Sequence, residues 1–373
     1  MLRGFYLTLL MGPMVPVPVP QPVVDALQSA QVTTTAGQAS GFQLTFALSK
    51  KSMLAQTLLP AGFFDPKIRV ILVVTMNGLP TVLMDGIITQ QSVTPSNDPG
   101  QSMLTITGED LTLLMDLEEK KMCYPGMAAE ERVALICLSY GVYGIIPLPI
   151  PTVLMDIPNP VERIPLQTGT DLNYIKALAE EAGYVFYIDP GPAPGMNIAY
   201  WGPEIRVGIP QPALSINMDA DTNVESLSFT YDGLSKKQLT IAITEPFTKM
   251  SIDIPVPDIG LLRPPLALRP AMPLRKGPLE SSSKWSSVQA ALLGLAETAE
   301  ASDSISGTGQ LDVLRYGHIL KARGLVSVRG ASTAYDGFYY VKSVTHNLKR
   351  GEYKQGFTLG RDGLIPLTPR VMP

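Results

Sequence analysis

The sequence predicts an α+β protein that is mainly β, with two antiparallel β-regions on either side of an α/β insert. Apolar and polar side chains alternate through residues 42–48, which is the period of a half-buried strand. After Gly108 the apolar residues recur at helical spacing instead. Alternation returns at 225–231 and again within 338–361. These changes of period separate the three regions.

Strand signals follow one another through the first region. Residues 69–76 form a nearly continuous β-branched run, and Asn77-Gly78 is a hairpin turn signal because both central residues of that turn need positive φ. Further strands are predicted at 81–90 and 103–107. Residues 4–11 are a first strand rather than a signal peptide, because the apolar run is short and no Ala-x-Ala site follows it. This region is an antiparallel meander or a small barrel.

The insert is predicted from three helical patterns. One helix opens at Glu109 and Asp110, and a second covers 129–140. The third covers 170–182, with Thr170 as its N-cap and Gly183 at the position where a helix commonly ends in glycine. A strand at 184–189 follows, so the insert is a small mixed α/β domain.

The second β-region holds strands at 225–231, 238–244 and 325–329, and it closes in a hairpin of 338–347 with 352–361. In the last strand one face is apolar and the other polar. Its apolar face carries Tyr353, Phe357 and Leu359, and its polar face carries Lys354 and Thr358.

A proline-rich stretch interrupts this second region at 246–280 and is predicted to be a long surface excursion. A helix follows at 284–301, with apolar residues spaced three and four apart as in a short heptad seam. The residues of that seam are Trp285, Val288, Leu292, Leu295 and Ala299. The helix packs either against its own domain or against other subunits.

Four segments result from these boundaries. They are a first β-barrel domain at 1–108, an α/β insert at 109–212, a second β-barrel domain at 213–245 and 305–365, and a proline-rich excursion with its helix at 246–304.

Composition excludes several classes of function. Charged residues make up 17% of the 373 residues, below the usual share of about 25%, which indicates large subunit interfaces or a membrane. No run of about 18 uncharged apolar residues occurs, so stable membrane insertion is not expected. The net charge of −4 and the lack of a Lys/Arg block disfavour nucleic-acid binding.

No catalytic, cofactor or metal site is predicted. The two cysteines, Cys123 and Cys137, and the two histidines, His318 and His346, do not have metal-ligand spacing. Cys137 is expected to be a buried thiol, and both histidines are expected to pack or cap. The acid pairs at 118–119, 130–131 and 180–181 are expected near helix ends, where adjacent side chains point about 100° apart.

Aromatic residues are few and clustered, at 184–187, 200–201 and 338–340. Bulky groups occupy both faces of 338–341, which predicts a strand covered on both sides, for example at a subunit contact. An aromatic platform for a ligand is the alternative.

Four segments together resemble one family, the phage late control D proteins and the base of type VI secretion VgrG spikes. They are the helix signature at 166–184, the closing hairpin at 337–346 with 351–361, and Thr107-Gly108-Glu109-Asp110-Leu111 at the exit from the first β-region. The landmarks span nearly the whole chain.

The resemblance implies a structural baseplate hub of a contractile tail or injection system, and not an enzyme. Such hubs are homotrimers with two tube-like β-barrels per chain, which adapt a three-fold spike to a six-fold inner tube. The chain ends at Pro373, soon after the closing hairpin. The expected partners are therefore a separate spike protein, inner-tube proteins and other baseplate components.

The expected location is the bacterial cytoplasm during assembly and the particle afterwards. Two other functions remain open: a tail-tip cell-wall hydrolase, and a module that binds carbohydrate on the host surface.

Overall fold

The structure is a computed structural model that describes residues 4–98, 101–152, 158, 160–161, 164–244, 251–255, 264–278 and 303–367. It is mainly β, with large antiparallel sheets, as predicted. The chain divides into two compact units. Unit 1 comprises Met1–Leu178, Phe186–Gly202 and Thr345–Lys354, and unit 2 comprises Ala179–Val185, Pro203–Val344 and Gln355–Pro373. The four-segment division stays a prediction.

The strands are numbered in chain order. They are β1 (Phe5–Gly12), β2 (Val17–Pro18), β3 (Leu27–Thr35), β4 (Gly41–Ala47), β5 (Arg69–Met76), β6 (Leu79–Thr94), β7 (Met103–Asp110), β8 (Glu119–Cys123), β9 (Ile145–Pro149), β10 (Leu166–Thr170), β11 (Val185–Pro190), β12 (Asn197–Gly202), β13 (Gln211–Ser215), β14 (Val224–Tyr231), β15 (Lys237–Thr244), β16 (Ser251–Pro255), β17 (Ala267–Pro270), β18 (Arg275–Pro278), β19 (Ile305–Asp312), β20 (Leu325–Arg329), β21 (Gly337–Lys349), β22 (Glu352–Arg361) and β23 (Gly363–Pro366).

The helices within the described residues are short. They are α1 (Gln21–Ala26), α2 (Ala129–Ser139), α3 (Asp171–Ala182) and α4 (Val313–Tyr316), with a π-helical turn at Leu54–Leu58 and 3-10 turns at Leu111–Asp116, Gly141–Tyr143 and Asp219–Asp221. None of them is both long enough and apolar enough to cross a bilayer.

Unit 1 is built on one antiparallel sheet with the strand order β2–β1–β5–β6–β7–β4–β3. Its strand β5, between β1 and β6, is buried on both faces, as its β-branched sequence predicts. In β4 the side chains alternate, with Phe42, Leu44 and Phe46 buried and Gln43 exposed. The apolar core therefore lies on one face of β3, β4 and β7.

The hairpin between β5 and β6 forms where predicted. Met76 is paired with Leu79, which leaves Asn77 and Gly78 as a two-residue turn with φ of 52° and 82°. Strand β6 is longer than predicted, because it continues in a ladder with β7 as far as Thr94 opposite Met103.

The predicted helical run through Leu111, Leu114 and Met115 forms as a 3-10 turn at Leu111–Asp116, but it begins after Asp110 and not at Glu109. Both Glu109 and Asp110 stay in β7, where they pair with Ile87 and Gly86, and only a 3-10 turn follows. The Asp110 carboxylate accepts hydrogen bonds from the backbone N–H of Thr112 at 2.9 Å and of Ser40 at 2.7 Å. The acid therefore caps the turn from the strand end, which is the role of an N-cap residue.

The insert region combines α2 and α3 with two small sheets, β10–β8 and β11–β12–β9. Helix α3 has the predicted ends, because the Thr170 hydroxyl accepts a hydrogen bond from the N–H of Asn173 at 3.3 Å and Gly183 has φ of 68°. Glu119 lies in β8 rather than at a helix end, which corrects the prediction for the acid pair at 118–119.

Unit 2 is built on the antiparallel pairs β14–β19 and β20–β21, with β22 between β19 and β21 and with β13 parallel to β20. In the unit 2 part of β22, Phe357 and Leu359 are buried and Thr358 is partly exposed, as the alternation predicts. In the part that belongs to unit 1, Tyr353 is buried and Lys354 is partly exposed.

The proline-rich stretch contains regular structure within the described residues. Strands β16 and β18 both pair with β15, and β17 pairs with β23. Prolines end all three of these strands, since proline has no N–H to continue a ladder. The predicted helix at 284–301, with its seam, lies outside the described residues.

Candidate assembly surface

Strand β14 is the outermost strand of the unit 2 sheet. It pairs with β19 from Tyr231 opposite Ile305 to Val224 opposite Leu311, and its other edge has no ladder partner among the described residues. Between Ser226 and Thr230 the strand has no charge and no proline. Native edges usually carry one of these to prevent pairing with another chain. In β14 the exposed Glu225 is such a charge, and the stretch from Ser226 to Thr230 has none.

Uncharged polar side chains cover the outward face of this pair of strands. Cross-strand partners share a face, so Ser226 with Gln310, Ser228 with Thr308 and Thr230 with Ser306 form three polar rows. The hydroxyl groups of Ser228 and Thr308 lie 2.9 Å apart. A shallow groove lies on the same face beside Gly356.

The opposite face of β14 and β19 is held close to the core by two glycines. A Cβ at Gly307 would lie 2.8 Å from the Phe229 ring, and one at Gly309 would lie 2.6 Å from the Phe357 ring. Two aromatic rings therefore occupy the space of the missing side chains, and this packing fixes which face of β14 points outward.

Unit 1 also has a sheet face of mostly uncharged polar residues. On β3, β4 and β7 the outward residues are uncharged over most of their length, and Glu109 at the end of β7 is the exposed charge. The polar residues of this face are Gln31, Thr33, Gln43, Thr45, Thr105 and Thr107. A solvated surface usually carries about 25–35% charged residues, so the sheet face in each unit carries fewer charges than a typical solvated surface.

The closing hairpin is covered on both faces, as predicted for 338–341. Tyr339, Tyr340 and Val341 are all buried. The Arg361 guanidinium lies over the Tyr339 ring, and the Arg206 guanidinium lies over the Tyr340 ring on the other face. An aromatic platform for a ligand is therefore not available at these two rings.

A buried ion cluster lies beside Tyr340. Arg206 binds Asp303 through two hydrogen bonds of 2.6 and 2.9 Å, and Lys342 reaches the same carboxylate at 2.8 Å. Burial alone would raise the pKa of Asp303, but the charges and hydrogen bonds of Arg206 and Lys342 lower it below its usual value. Three distant parts of the sequence are joined here.

His346 is buried in the hairpin, with its Nδ1 2.7 Å from the hydroxyl oxygen of Tyr353. Burial lowers the pKa of His346 to about 3, so the ring is neutral near pH 7. The predicted packing role is confirmed. His318 is exposed and lies edge-on to Tyr316.

The other candidates for chemistry do not converge. Cys137 is buried, as predicted, and burial raises its pKa to about 12, whereas Cys123 is exposed. Within the part of the chain that the structure describes, no three acidic, histidine or cysteine side chains are grouped as a metal site would require. The three predicted acid pairs lie on different parts of the fold. Glu130, from one of these pairs, is buried in the first turn of α2.

Sequence reasoning missed a buried network around Asp171 in the insert. The carboxylate accepts hydrogen bonds from Lys120 at 2.6 Å, from Tyr140 at 2.7 Å and from Gln167 at 2.7 Å. Burial would raise its pKa, but these donors and the Lys120 charge lower it. Each donor is satisfied within the insert, so the network holds α3 against β8 and β10.

A second missed network lies in unit 1. Arg69 and Asp85 form a buried bidentate ion pair at 2.7 Å, and the Asn197 side chain donates to the same carboxylate at 2.8 Å. Arg69 also donates to the carbonyl of Tyr143 at 2.7 Å. These bonds join β5 and β6 to β12 of the insert.

Solved structures of phage tail proteins share this mainly β fold. A tail protein from Neisseria meningitidis MC58 superposes with a TM-score of 0.64 at 14% identity, covering 97% of this chain and 98% of that one. The 43 kDa tail protein of prophage MuSo2 from Shewanella oneidensis has the same TM-score and identity, covering 97% of this chain and all of that one.

A type VI secretion system component from E. coli, the c3393 protein, also shares the fold. Its TM-score is 0.55 at 11% identity, covering 93% of this chain and 75% of that one. No family model matches the sequence. No curated protein matches it either.

Proposed function

We propose that this chain is the structural hub of a baseplate in a contractile phage tail or a related injection particle, assembled as a homotrimer. The observation that carries the proposal is the edge of β14, which has no ladder partner among the described residues and is uncharged from Ser226 to Thr230, beside an uncharged sheet face. In a monomer such an edge leaves backbone N–H and C=O groups unpaired, and these can cause aggregation by pairing with another chain. A subunit of a closed ring has its edges paired by its neighbours.

The fold supports a place in the tail. Three proteins that share it over most of this chain are two tail proteins and a type VI secretion system component. The sequence landmarks at 166–184 and 337–361 add the resemblance to late control D and VgrG hub proteins.

The proposed copy number follows from symmetry. Each chain has two β-regions, and each carries an uncharged outward face on an antiparallel sheet. Three copies present six such regions, which matches a six-fold inner tube, while the trimer itself matches a three-fold spike. The hub is thus proposed as the symmetry adaptor between the two.

The proposed role is structural, not enzymatic. The acid pairs, cysteines and histidines of the described residues do not form a cleft with a nucleophile, a base and an orienting group. The proposed partners are a separate spike protein, the first inner-tube subunits and other baseplate proteins. Assembly is proposed to occur in the bacterial cytoplasm before the chain joins the particle.

Purified particles test this function. We expect this chain to co-purify with sheath and tube proteins, at a copy number far below that of the tube, in quantitative mass spectrometry. Its absence from intact particles, or a copy number equal to that of the tube, would overturn the hub assignment. The variant Ser228→Lys, which places a charge in β14, should be lost from particles. Ser332→Lys is the matched control, because Ser332 is exposed in the turn before β21.

A further inference from the structure

The segment between Pro203 and Pro210 joins β12 to β13 and has an unusual pattern of exposure. Ile205, Val207 and Ile209 are 42%, 46% and 96% exposed, whereas Arg206 between them is 5% exposed. Three β-branched residues thus point to solvent at alternate positions, and the segment itself is neither helix nor part of a sheet.

The sequence of this segment favours an extended backbone. β-branched residues favour the extended region, and Ile209 precedes a proline, which disfavours the helical region for it. Gly208, with φ of 146°, bends the chain between Val207 and Ile209. Residues 205–209 have no backbone hydrogen bond to any residue that the structure describes. Their N–H and C=O groups are therefore available to a partner strand.

Arg206 fixes the orientation of the segment. Its guanidinium binds both oxygens of Asp303 and lies 4.7 Å from the centre of the Tyr340 ring. Because this side chain is directed into unit 2, its neighbours Ile205 and Val207 are directed outward. The exposed apolar row is thus held in place by a buried ion pair and is not a chance feature of a loose linker.

Unit 2 contains two surfaces that complement each other. The segment 205–209 offers a free backbone and an apolar row, and β14 offers a free edge beside the apolar residues Leu227 and Phe229. Arg206 is neutralised within its own unit, and 226–230 has no charge, so pairing the two would bury no unpaired charge. Two different patches on one molecule define a head-to-tail contact, which can close into a ring.

We propose that residues 205–209 of one copy of this chain add as a strand to the free edge of β14 in the next copy. This inference rests on the proposed hub function and names the residues that join its subunits. Ile205, Val207 and Ile209 then extend the apolar row of Leu227 and Phe229, and the backbone of 205–209 completes the hydrogen bonds of the β14 edge.

Cross-linking tests the pairing. In a Cys123→Ser background, which removes the exposed thiol, the double variant Val207→Cys with Leu227→Cys is treated with a short bis-maleimide that tolerates a shift of one or two residues in register. We expect covalent dimers and trimers on a denaturing gel, because each copy offers one donor and one acceptor. The control pair is Val207→Cys with Ala220→Cys, because Ala220 is exposed in the same unit but lies outside β14. This pair should give at most covalent dimers.

A charge variant gives an independent measurement. Val207→Asp should fold with an unchanged melting temperature, since Val207 is exposed, and should weaken trimer formation at least ten-fold by sedimentation. Val161→Asp is the control, because Val161 is 93% exposed in unit 1. Cross-linking within a single copy, or a trimer indifferent to Val207→Asp, would overturn the pairing. Particles that still contain this chain in that case would leave the hub function standing.

Discussion

The Arg361 guanidinium lies 4.4 Å from the centre of the Tyr339 ring, and neither side chain reaches solvent. Arg361 donates hydrogen bonds of 2.7 Å to the backbone carbonyls of Ala334, Asp336 and Gly363. Burial lowers the pKa of Arg361, and the carbonyl dipoles and the ring face compensate for its lost hydration. A single side chain thus joins the end of β22 to the turn that precedes β21.

Replacing this arginine tests its part in the closing hairpin. Arg361→Met keeps the apolar contact with Tyr339 but leaves three carbonyls without their donor, at a cost of about 1–3 kcal/mol for each buried acceptor that water does not reach. We expect a lower free energy of unfolding in urea. The control Arg350→Met, at the exposed hairpin turn, should change it by less than about 1 kcal/mol. Equal effects of the two variants on the free energy of unfolding would contradict the role of Arg361 in joining β22 to the turn before β21.

Phe357 tests the packing that orients β14. Its ring is buried and fills the space above Gly309, so Phe357→Asp places a charge in the apolar face of β22. We expect loss of several kcal/mol of stability, and no incorporation into particles. Thr358→Asp is the neighbouring control, because Thr358 points to the other face. Normal particles from Phe357→Asp would contradict the placement of the strand.

A variant of Asp110 tests whether this residue caps the 3-10 turn from the end of β7. Asp110→Ala removes the acceptor for the N–H groups of Thr112 and Ser40. Loss of an N-cap lowers the stability of a protein by about 1 kcal/mol. The buried N–H of Ser40 also loses its acceptor, which lowers the stability further. Glu109→Ala, the exposed neighbour, should cost little in the same thermal denaturation. A larger loss from Glu109→Ala would favour the helix that the sequence predicted there.

His346 predicts a dependence of stability on pH. Its pKa is about 3 in the folded chain and near 6.5 in the unfolded chain, so the unfolded chain binds more protons between these values. Stability from this group is complete above pH 6.5 and falls as the pH drops towards 3, by about 1.4 kcal/mol per pH unit at most. His346→Gln should flatten this slope in urea denaturation between pH 4 and 6.5. An unchanged slope would show that other groups cause it.

Local signals predicted much of this fold. The β5 strand, the Asn77-Gly78 turn and β22 formed at the predicted residues, because each depends on neighbours within a few positions. The helical run predicted after Glu109 and Asp110 formed only as a 3-10 turn, because acids next to an apolar run also suit a strand end that caps a turn. Helix α1 was missed because it has a proline in its first turn and is too short for a period.

The surfaces were harder to predict than the strands. Which face of β14 points outward depends on Phe357, which lies more than a hundred residues away in the sequence. The Asp171 network joins Lys120 to an acid 51 positions later, and no local pattern signals it. The exposed row at Ile205, Val207 and Ile209 is visible as alternation in the sequence, but only the burial of Arg206 shows which residues point to solvent.

The central claim is that three copies of this chain form the hub of one particle. Native mass measurement of the hub released from purified particles tests it most directly, since one chain has a mass of 40.2 kDa. The account predicts a species with the mass of three chains, alone or with its spike. A hub that contains one or six copies, or particles that lack this chain, would contradict the account.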